Sequence, residues 1–388
     1  MSLVSELWWT GVRAAGGRAS VQRAIEADPG ILGRGSSAIT SVTNKTSQAV
    51  EIIAVGKAAA SMARGALEHL PADTQGIVVT KRGHLGGLAE DYPQLEVIES
   101  GHPIPDVESL LAGQRLYDRV RALPKESHLL LLISGGASAL VERLPPGVSL
   151  LDWQRKTEAL VASGADIREV NSQRSKLSLI KSGRLLKAFG GASVAVLAIS
   201  DVSGDSHAVI GSGLGDTRYL TCPAQSATIA TNAIARSAIV AAAQAQGLVV
   251  QENGETLYGD IYEVAQRIAE TLRQGAAGLY VWGGEPTVVL PENPGRGGRN
   301  QALALAVAQE LHGSDQRVDL LVAGTDGTDG PTSAAGGWFR DTSGYPIAEL
   351  SAALLRADAG TFLGARNGLF VSGPTDTNVM DLALCLKR

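Results

Sequence analysis

Two segments of the chain combine basic side chains with glycine in a setting that suits phosphate chemistry. In IIAVGKAAAS, Lys57 follows an apolar stretch and precedes an alanine-rich segment, so its long side chain can reach a transferring phosphoryl group. In PGRGGRNQALAL, Arg296 and Arg299 stand in a glycine-rich loop that opens into a predicted helix. A helix N-terminus and guanidinium groups both bind phosphate oxygens, which makes this loop a candidate polyphosphate site. A solvated lysine and a flexible loop tip are the alternative interpretations.

Two further turns carry polar groups that can meet an anion. The turn SGGAS contains the candidate binding residues Ser134, Gly135, Gly136 and Ser138. Successive N–H groups in such a turn can form an anion-binding concavity, although a tight turn without a ligand is equally consistent with the pattern. In SGHPIPD, two prolines fix the backbone around His102 and Asp106. His102 is either a base or a residue that hydrogen-bonds within the turn.

Carboxylates stand at several predicted strand ends, in ISDVSGD, GGEPT and GTDGTDG. The candidate metal ligands among them are Asp201, Asp205, Glu285 and Asp326. Carboxylates placed in this way can hold Mg²⁺ that bridges phosphates, or orient a substrate hydroxyl. Helix capping is the alternative role for each aspartate, Asp329 included.

The elements that must position these residues are apolar, strand-forming stretches that each end in a glycine-polar turn. The six such stretches end near Val55, Ile133, Ile199, Trp282, Ala323 and Val371. In a parallel sheet such ends meet at the carboxyl edge, where ligands bind, so one large site for an anionic substrate is predicted. Helical segments alternate with the strands, which predicts a doubly wound parallel sheet.

The length of 388 residues is more than one hydrophobic core usually spans, which favours two domains. We therefore expect two α/β/α domains: residues 1–225 with the doubly wound parallel sheet, and residues 226–388 with a smaller α/β core. The active site is expected in the cleft between the domains. A helix is predicted from Ser172 to Phe189.

Composition and charge exclude several classes of protein. A formal net charge of −5 on intermixed acidic and basic residues leaves no basic patch for nucleic acid. The N-terminus lacks a signal-peptide pattern and is predicted to be an amphipathic helix with Trp8 and Trp9 in the core, and no apolar run suits a membrane span. Cys222 and Cys385 lie far apart, with no metal-ligand spacing and no expected disulfide. A cytoplasmic enzyme of small molecules, monomeric or homodimeric, is expected.

Motifs of several other enzyme classes are missing from the sequence. Neither the Walker pattern GxxxxGK[ST] nor the dinucleotide fingerprint GxGxxG follows an early strand. The absence of the fingerprint argues against an NAD site. Neither GxSxG nor HExxH is present, which leaves a hydrolase without support.

Taken in order, the segments VGKAAASM, SGHPIPD, LISGGASAL, ISDVSGD, GGEPTV, GRGGRNQALAL, AGTDGTDGPT and SGPTDTNVMDL resemble the class II glycerate 2-kinases. The resemblance runs from about Ile52 to the C-terminus. It implies a Rossmann-like N-terminal domain, a C-terminal MOFRL domain, and transfer of the ATP γ-phosphoryl group to the 2-hydroxyl of D-glycerate with Mg²⁺. Members of this family are often named hydroxypyruvate reductases, a name that conflicts with the missing dinucleotide fingerprint.

The resemblance also implies roles for individual residues. Lys57 matches the VGKA lysine that acts at the transferring phosphate, and Arg299 matches the arginine of GGRNQ. Substrate or nucleotide binding is implied for Arg174, Lys181, Asn300, Gln301, Thr375 and Asn378. The chain departs from the family pattern at Ser175, Lys176, Leu214, Ala302, Ser333 and Asp376.

These departures leave the acceptor open. A kinase for another small hydroxy acid or sugar acid would keep the phosphate-binding residues and differ at Ser175, Lys176 and the loop around Leu214. An NAD(P)H-dependent hydroxypyruvate reductase and a ligand-binding protein without catalysis are the alternatives from other classes.

Overall fold

The computed structural model describes residues 2–33, 49–155, 176–341 and 345–388. The chain divides into two compact units. The first unit is Gly16–Ile229, and the second unit combines Met1–Ala15 with Ala230–Arg388. The division along the chain falls within five residues of the predicted boundary at 225, but the first fifteen residues belong with the C-terminal part. Among the described residues, no helix has both the length and the apolar character needed to cross a bilayer.

The first unit is built on a six-stranded sheet. Its strands are β1 Val50–Val55, β2 Gly76–Lys81, β3 Leu95–Ser100, β4 His128–Ile133, β5 Ser193–Ile199 and β6 Ala224–Ala230. They are ordered β3-β2-β1-β4-β5-β6, and the first five run parallel. Strands β1 and β4 are almost entirely buried, as expected for apolar runs covered on both faces. The predicted parallel sheet is confirmed.

Helices of the first unit follow the strands, as the alternation predicts. They are α2 Gly17–Ala27, α3 Ala59–Leu67, α4 Leu88–Asp91, α5 Val107–Ala122, α6 Ala137–Leu140 and α7 Arg184–Lys187. The prediction of one helix from Ser172 to Phe189 is wrong for the residues that the structure describes, 176–189. Within them the only complete helix is α7, at Arg184–Lys187. Ser182 and Gly183 have φ angles of 53° and 77°, in the left-handed region, which a right-handed helix cannot include.

The second unit is built on a mixed six-stranded sheet. Its strands are β7 Val250–Glu255, β9 Gly278–Gly284, β11 Val318–Gly324, β12 Gly336–Arg340, β13 Leu369–Phe370 and β14 Asp381–Lys387. They are ordered β13-β12-β11-β14-β9-β7, and a separate ribbon pairs β8 Gly259–Asp260 with β10 Pro286–Thr287. The central strand β14 was not predicted, and it runs antiparallel to both of its neighbours.

Helices of the second unit cover this sheet. They are α1 Leu3–Ala14, α8 Asn232–Ala245, α9 Ile261–Gln274, α10 Arg299–Glu310, α11 Ile347–Leu355 and α12 Ala359–Gly364. Helix α10 is buried along nine consecutive residues, from Asn300 to Ala308. A helix that is covered all round belongs to the interior of a domain, so the polar residues of its first turn need partners within the protein.

Helix α1 belongs to the second unit because its apolar side packs there. Trp8 is fully buried and meets the ring of Phe370 edge to face, with 5.0 Å between ring centroids. The hydroxyl of Thr377 donates a hydrogen bond of 2.6 Å to the carbonyl of Ala15, at the end of the helix. The core position predicted for Trp8 is confirmed, and Trp9 packs edge to face on Trp8 while staying partly exposed.

Antiparallel pairing of β14 brings two motif-bearing turns of the second unit to one sheet edge. Strands β9 and β11 run in the same direction, since both are antiparallel to β14. In the sheet register, Asp381 at the start of β14 pairs with Gly284 at the end of β9 and with Gly324 at the end of β11. The GGEPT and GTDGTDG turns therefore flank the first residue of β14.

Candidate active site

In the first unit, the loops that follow β1, β3 and β4 meet around Gly136. This glycine has a φ of 85°, and an added Cβ would lie 3.1 Å from Cδ2 of His102 and 3.3 Å from Cγ of Lys57. Lys57 and His102 therefore both lie against this turn, whose positive φ favours glycine. The structure thus brings together three of the residues that the sequence predicts for one site.

Ser134 and Gly135 hold the Lys57 turn through hydrogen bonds. The carbonyl of Gly135 accepts from the backbone N–H of Lys57 at 2.9 Å, and Oγ of Ser134 accepts from the N–H of Ala58 at 3.0 Å. Ser134 is fully buried. Its hydroxyl therefore holds the backbone of the lysine turn, and its predicted contact with an anion stays a prediction.

Asp106 caps helix α5. Its Oδ1 accepts from the N–H and the hydroxyl of Ser109, and its Oδ2 lies 2.7 Å from Nη2 of Arg82. Burial alone would raise the pKa of this carboxyl, but the hydrogen bonds from Arg82 and the α5 backbone lower it to about 2. Asp106 is thus an ionised cap that fixes the SGHPIPD loop, and its predicted contact with a ligand stays a prediction.

Lys181 lies inside the first unit. Its Nζ donates to Oε2 of Glu142 at 2.6 Å and to the carbonyl of Ser138 at 2.7 Å, and both charged side chains are at most 1% exposed. The hydroxyl of Ser138 pairs with that of Ser212 at 2.8 Å. Lys181 therefore supports the SGGAS segment from within, which differs from the substrate contact implied by the family resemblance. Arg174 and Ser175 lie outside the described residues.

Replacing Lys181 with methionine tests this structural role. The substitution leaves the carboxylate of Glu142 buried without its cation, so we expect the free energy of unfolding to fall by about 3–5 kcal/mol. Adding Glu142→Gln removes the stranded charge and should recover most of the loss. Urea unfolding of both variants measures the effect. A Lys181→Met protein with wild-type stability would contradict the buried ion pair.

The second unit contains a charged cluster centred on Arg299, the first residue of α10. Its Nε and Nη2 donate to the two carboxylate oxygens of Asp381 at 2.6 and 3.3 Å, and its Nη1 lies 2.8 Å from Oε1 of Glu285. Asn300 adds a hydrogen bond of 3.0 Å from Nδ2 to Oδ1 of Asp381. Burial opposes the charge on Arg299, yet the neighbouring carboxylates raise its pKa above the usual value. The guanidinium is held in one orientation and stays partly exposed at the sheet edge.

The N-terminus of α10 is capped by Asp329. The N–H groups of Asn300 and Gln301 donate to Oδ1 and Oδ2 of this carboxylate at 3.1 and 2.8 Å. The sequence predicts that these groups bind phosphate, whereas the structure gives them to a carboxylate from the GTDGTDG turn. These two N–H groups are therefore not available to a phosphate in this structure. Oδ1 of Asn300 is buried without a hydrogen-bond partner in the described structure, which leaves an acceptor at the cluster.

Asp329 makes the stability of the fold depend on pH. Burial raises the pKa of its carboxyl to about 7, although the N–H groups of Gln301 and Asn300 favour the ionised form. Between about pH 4 and pH 7 the folded state holds a proton that the unfolded state has released, so stability falls as pH rises. We expect a loss on the order of a few kcal/mol, which Asp329→Asn removes. Urea unfolding of both proteins at pH 5 and pH 8 measures the difference.

The remaining predicted binding residues have varied surroundings. Arg296 exposes its side chain, while its backbone N–H donates to Oδ1 of Asp358 at 2.9 Å and its carbonyl accepts from the N–H of Gly360. The glycine-rich loop is thus anchored to the start of α12, unlike a flexible loop tip. Thr375 donates to the carbonyl of Thr325, and Asn378 is buried in the same turn region. Gln301 is fully buried and donates to the hydroxyl of Thr332.

The candidate metal ligands divide between the units. Asp201 and Asp205 follow β5 of the first unit, whereas Glu285 and Asp326 follow β9 and β11 of the second unit. Oδ1 of Asp326 accepts from the N–H and the hydroxyl of Thr328. Within the described ranges, no three His, Cys, Asp or Glu side chains are grouped so as to hold a metal ion.

The residues at which the chain departs from the family pattern differ in their burial. Leu214 and Ala302 are buried, whereas Lys176, Ser333 and Asp376 are exposed. Asp376 has a φ of 61°, the left-handed conformation for which glycine is the usual residue. Its exposed carboxylate adds negative charge to the loop before β14.

Sequence reasoning missed Asp381, the residue that binds Arg299 through both carboxylate oxygens. The segment DLALCLK that begins with Asp381 is an unbroken apolar run, apart from its two ends, and this is the signal that could have indicated a central strand. The placement of an acid at the start of that strand, opposite the GGEPT and GTDGTDG turns, then follows from the strand order.

Two family models match the chain. A domain family of unknown function, DUF4147, matches residues 3–248, and the MOFRL family matches residues 278–381. The parallel first sheet with its lysine turn and the mixed second sheet with its arginine cluster are therefore those of a DUF4147–MOFRL protein.

Comparison with individual known proteins identifies the family more closely. A D-glycerate 2-kinase of Thermotoga maritima is 34% identical over 381 residues, covering 87% of this chain and 90% of that protein. The crystal structure of glycerate kinase from Thermotoga maritima superposes with a TM-score of 0.80 at 31% identity, over 99% of this chain and 98% of the other. An Agrobacterium vitis protein that carries a hydroxypyruvate reductase name is 35% identical, over 86% of this chain and 98% of its own length. The chain belongs to the glycerate 2-kinase family.

Proposed function

We propose that this protein is a glycerate 2-kinase, which transfers the γ-phosphoryl group of ATP to the 2-hydroxyl of D-glycerate. The observation that carries the proposal is the meeting of Lys57, His102 and Gly136 at the carboxyl edge of a parallel sheet, in a chain of this family. A lysine held beside a glycine turn at such an edge suits an anionic ligand. Phosphoryl transfer needs positioning and charge neutralisation more than a covalent intermediate.

The residues of the first unit have distinct roles in this proposal. Lys57 places its ammonium group at the transferring phosphoryl group, where it offsets negative charge. His102 hydrogen-bonds the acceptor substrate beside the lysine. Ser134 and Gly135 hold the lysine turn through the bonds to the backbone N–H groups of Ala58 and Lys57, so the backbone from which the lysine extends is fixed before substrate binds.

The second unit contributes a positive group that is fixed in advance. Arg299 is oriented by Asp381 and Glu285, and its partly exposed guanidinium donates to phosphate oxygens. Exposed Arg296 adds a second positive charge to the same loop.

ATP and Mg²⁺ are compatible with these residues. Mg²⁺ in kinases takes one or two protein carboxylates and completes its shell with phosphate oxygens and water, so a set of three protein ligands is not required. Glu285 and Asp326 follow β9 and β11 at one edge of the second sheet and would hold the ion. Bound there, it would neutralise charge on the phosphates of the nucleotide.

A direct assay tests the function. The purified protein is incubated with ATP, Mg²⁺ and D-glycerate, ADP release is followed, and the product is identified by NMR. We expect 2-phosphoglycerate. Formation of 3-phosphoglycerate would show that a different hydroxyl is phosphorylated, while the protein would still be a glycerate kinase.

Two parallel reactions address the other functions that the sequence left open. A panel of small hydroxy acids and sugar acids replaces D-glycerate, because Asp376 and the loop around Leu214 differ from the family pattern. Hydroxypyruvate with NADH is run alongside, since relatives carry the reductase name. Turnover of another acid alone would identify a different acceptor, and NADH oxidation without ADP release would overturn the kinase.

A further inference from the structure

Asp381, which orients Arg299, directly follows a residue with a strained backbone conformation. Met380, directly before Asp381, has a φ of 65°. A long side chain rarely adopts this left-handed conformation, which persists only where the surroundings enforce it. The conformation of Met380 sets where β14 begins, and hence where the carboxylate of Asp381 lies relative to Arg299.

Thr325 holds this turn from the β11 side. Its N–H and its hydroxyl both donate to the carbonyl of Met380, at 3.0 and 2.6 Å. Its hydroxyl oxygen in turn accepts from the N–H of Val379 at 2.8 Å. Thr325 is fully buried, so water does not compete for these bonds.

Asn232, the first residue of α8, holds the same turn from the other side. Its Nδ2 donates to the carbonyls of Val379 and Asp381 at 2.9 and 3.1 Å. The two carbonyls that flank Met380 are thus bound by one amide group. Asn232 is 1% exposed, and these bonds are made within the protein interior.

The orientation of the Asn232 amide is itself determined by its neighbours. Nε of Arg236 donates to Oδ1 of Asn232 at 2.8 Å, so Nδ2 must face the two carbonyls. A Cβ on Gly283 would lie 1.7 Å from Oδ1 of Asn232, and glycine at this position is what admits the side chain. Arg236 is buried and also donates to Asn253.

We propose that Asn232 and Thr325 are positioning residues for phosphoryl transfer: they hold Met380 in its left-handed conformation and thereby direct Asp381 to bind Arg299. This inference rests on the proposed function, because only the proposed function gives Arg299 a part in the reaction. No hydrogen bond joins either residue to Arg299 in the described structure, so each acts through Asp381. Loss of either is expected to release the turn and leave Arg299 without a fixed orientation.

Asn232→Asp tests the amide with little change in shape. The aspartate still accepts from Arg236, but it presents oxygen to the two carbonyls instead of donors. We expect kcat for D-glycerate to fall about a hundredfold, as for a displaced catalytic group, while KM for D-glycerate changes less than about twofold. Asn253→Asp is the matched control, because it makes the same change at another partner of Arg236 and leaves β14 untouched. Its kcat should stay within about twofold of wild type.

A double-mutant cycle separates positioning from general stability. If Asn232 acts through Arg299, then Asn232→Asp lowers kcat in the wild-type protein and has no further effect in the Arg299→Ala protein. A further loss of the same size in that background would overturn the proposal. Thr325→Val repeats the test from the β11 side, with Thr325→Ser, which keeps the hydroxyl, as its control.

A crystal structure of the Asn232→Asp protein gives an answer that is independent of activity. We expect Met380 to leave the left-handed region and Asp381 to lose its paired contacts with Arg299. If both residues stay in place, the positioning role is wrong. If the turn moves but the wild-type protein phosphorylates no hydroxy acid, the structural role stands and the proposed function fails. If Asn232→Asp does not fold, the Thr325→Val and Thr325→Ser structures decide by the same criterion.

Discussion

Replacing Lys57 with alanine is expected to lower kcat for D-glycerate phosphorylation by about a thousandfold, with no comparable loss of stability. The ammonium group offsets charge that develops in the transition state, and removal of one such fixed group costs two to three orders of magnitude. The fold should survive, because the bond from the Lys57 N–H to the Gly135 carbonyl belongs to the backbone and remains in the variant. Steady-state kinetics and thermal unfolding measure the two quantities.

The control for this substitution is Lys125→Ala, which removes an exposed lysine from the loop before β4 of the same unit. It changes the net charge equally and should keep wild-type kcat. Lys57→Arg retains the charge on a longer, planar group and is expected to recover only part of the activity. Full activity in Lys57→Ala would show that the SGGAS and VGKA turns meet for a structural reason only.

Replacing Arg299 with alanine is expected to lower kcat by about a hundredfold to a thousandfold. The substitution removes the group that binds phosphate oxygens and also strands the carboxylate of Asp381, which is 2% exposed. Thermal stability should therefore fall together with activity. The question for the experiment is whether the loss of activity exceeds what the loss of stability explains.

Arg340→Ala answers that question, because Arg340 makes the same kind of paired contact elsewhere in the sheet. Its Nε and Nη2 lie 2.7 and 3.1 Å from the two carboxylate oxygens of Asp319, which is buried near the start of β11. Arg388 also contacts Asp319 and remains in the variant. We expect Arg340→Ala to be less stable and nearly as active as wild type. Equal losses of kcat in the two variants would remove Arg299 from the reaction.

Local pattern was sufficient to predict the five parallel strands of the first sheet and their turns, whereas the sixth strand, β6, was not predicted. Apolar stretches buried on both faces read as continuous runs, and the glycines after them mark where each strand must end. Because parallel strands share one carboxyl edge, the spacing of these runs also brought Lys57, His102 and Gly136 into one predicted site. The strand order of the second sheet was harder to predict. Its central strand β14 runs antiparallel between β11 and β9, and no local sequence signal specifies which strands become neighbours.

The sequence alone determined the class of chemistry: a lysine and an arginine in glycine turns, with carboxylates at strand ends and no dinucleotide fingerprint. The tertiary structure decided which charges are paired inside the protein and which stay partly exposed at a sheet edge. Lys181 is paired with Glu142, 39 residues away, and Arg299 is oriented by Asp381, 82 residues away. Residue spacing cannot reveal such partners, because the energy of a charge depends on burial and on neighbours that only the folded chain brings together.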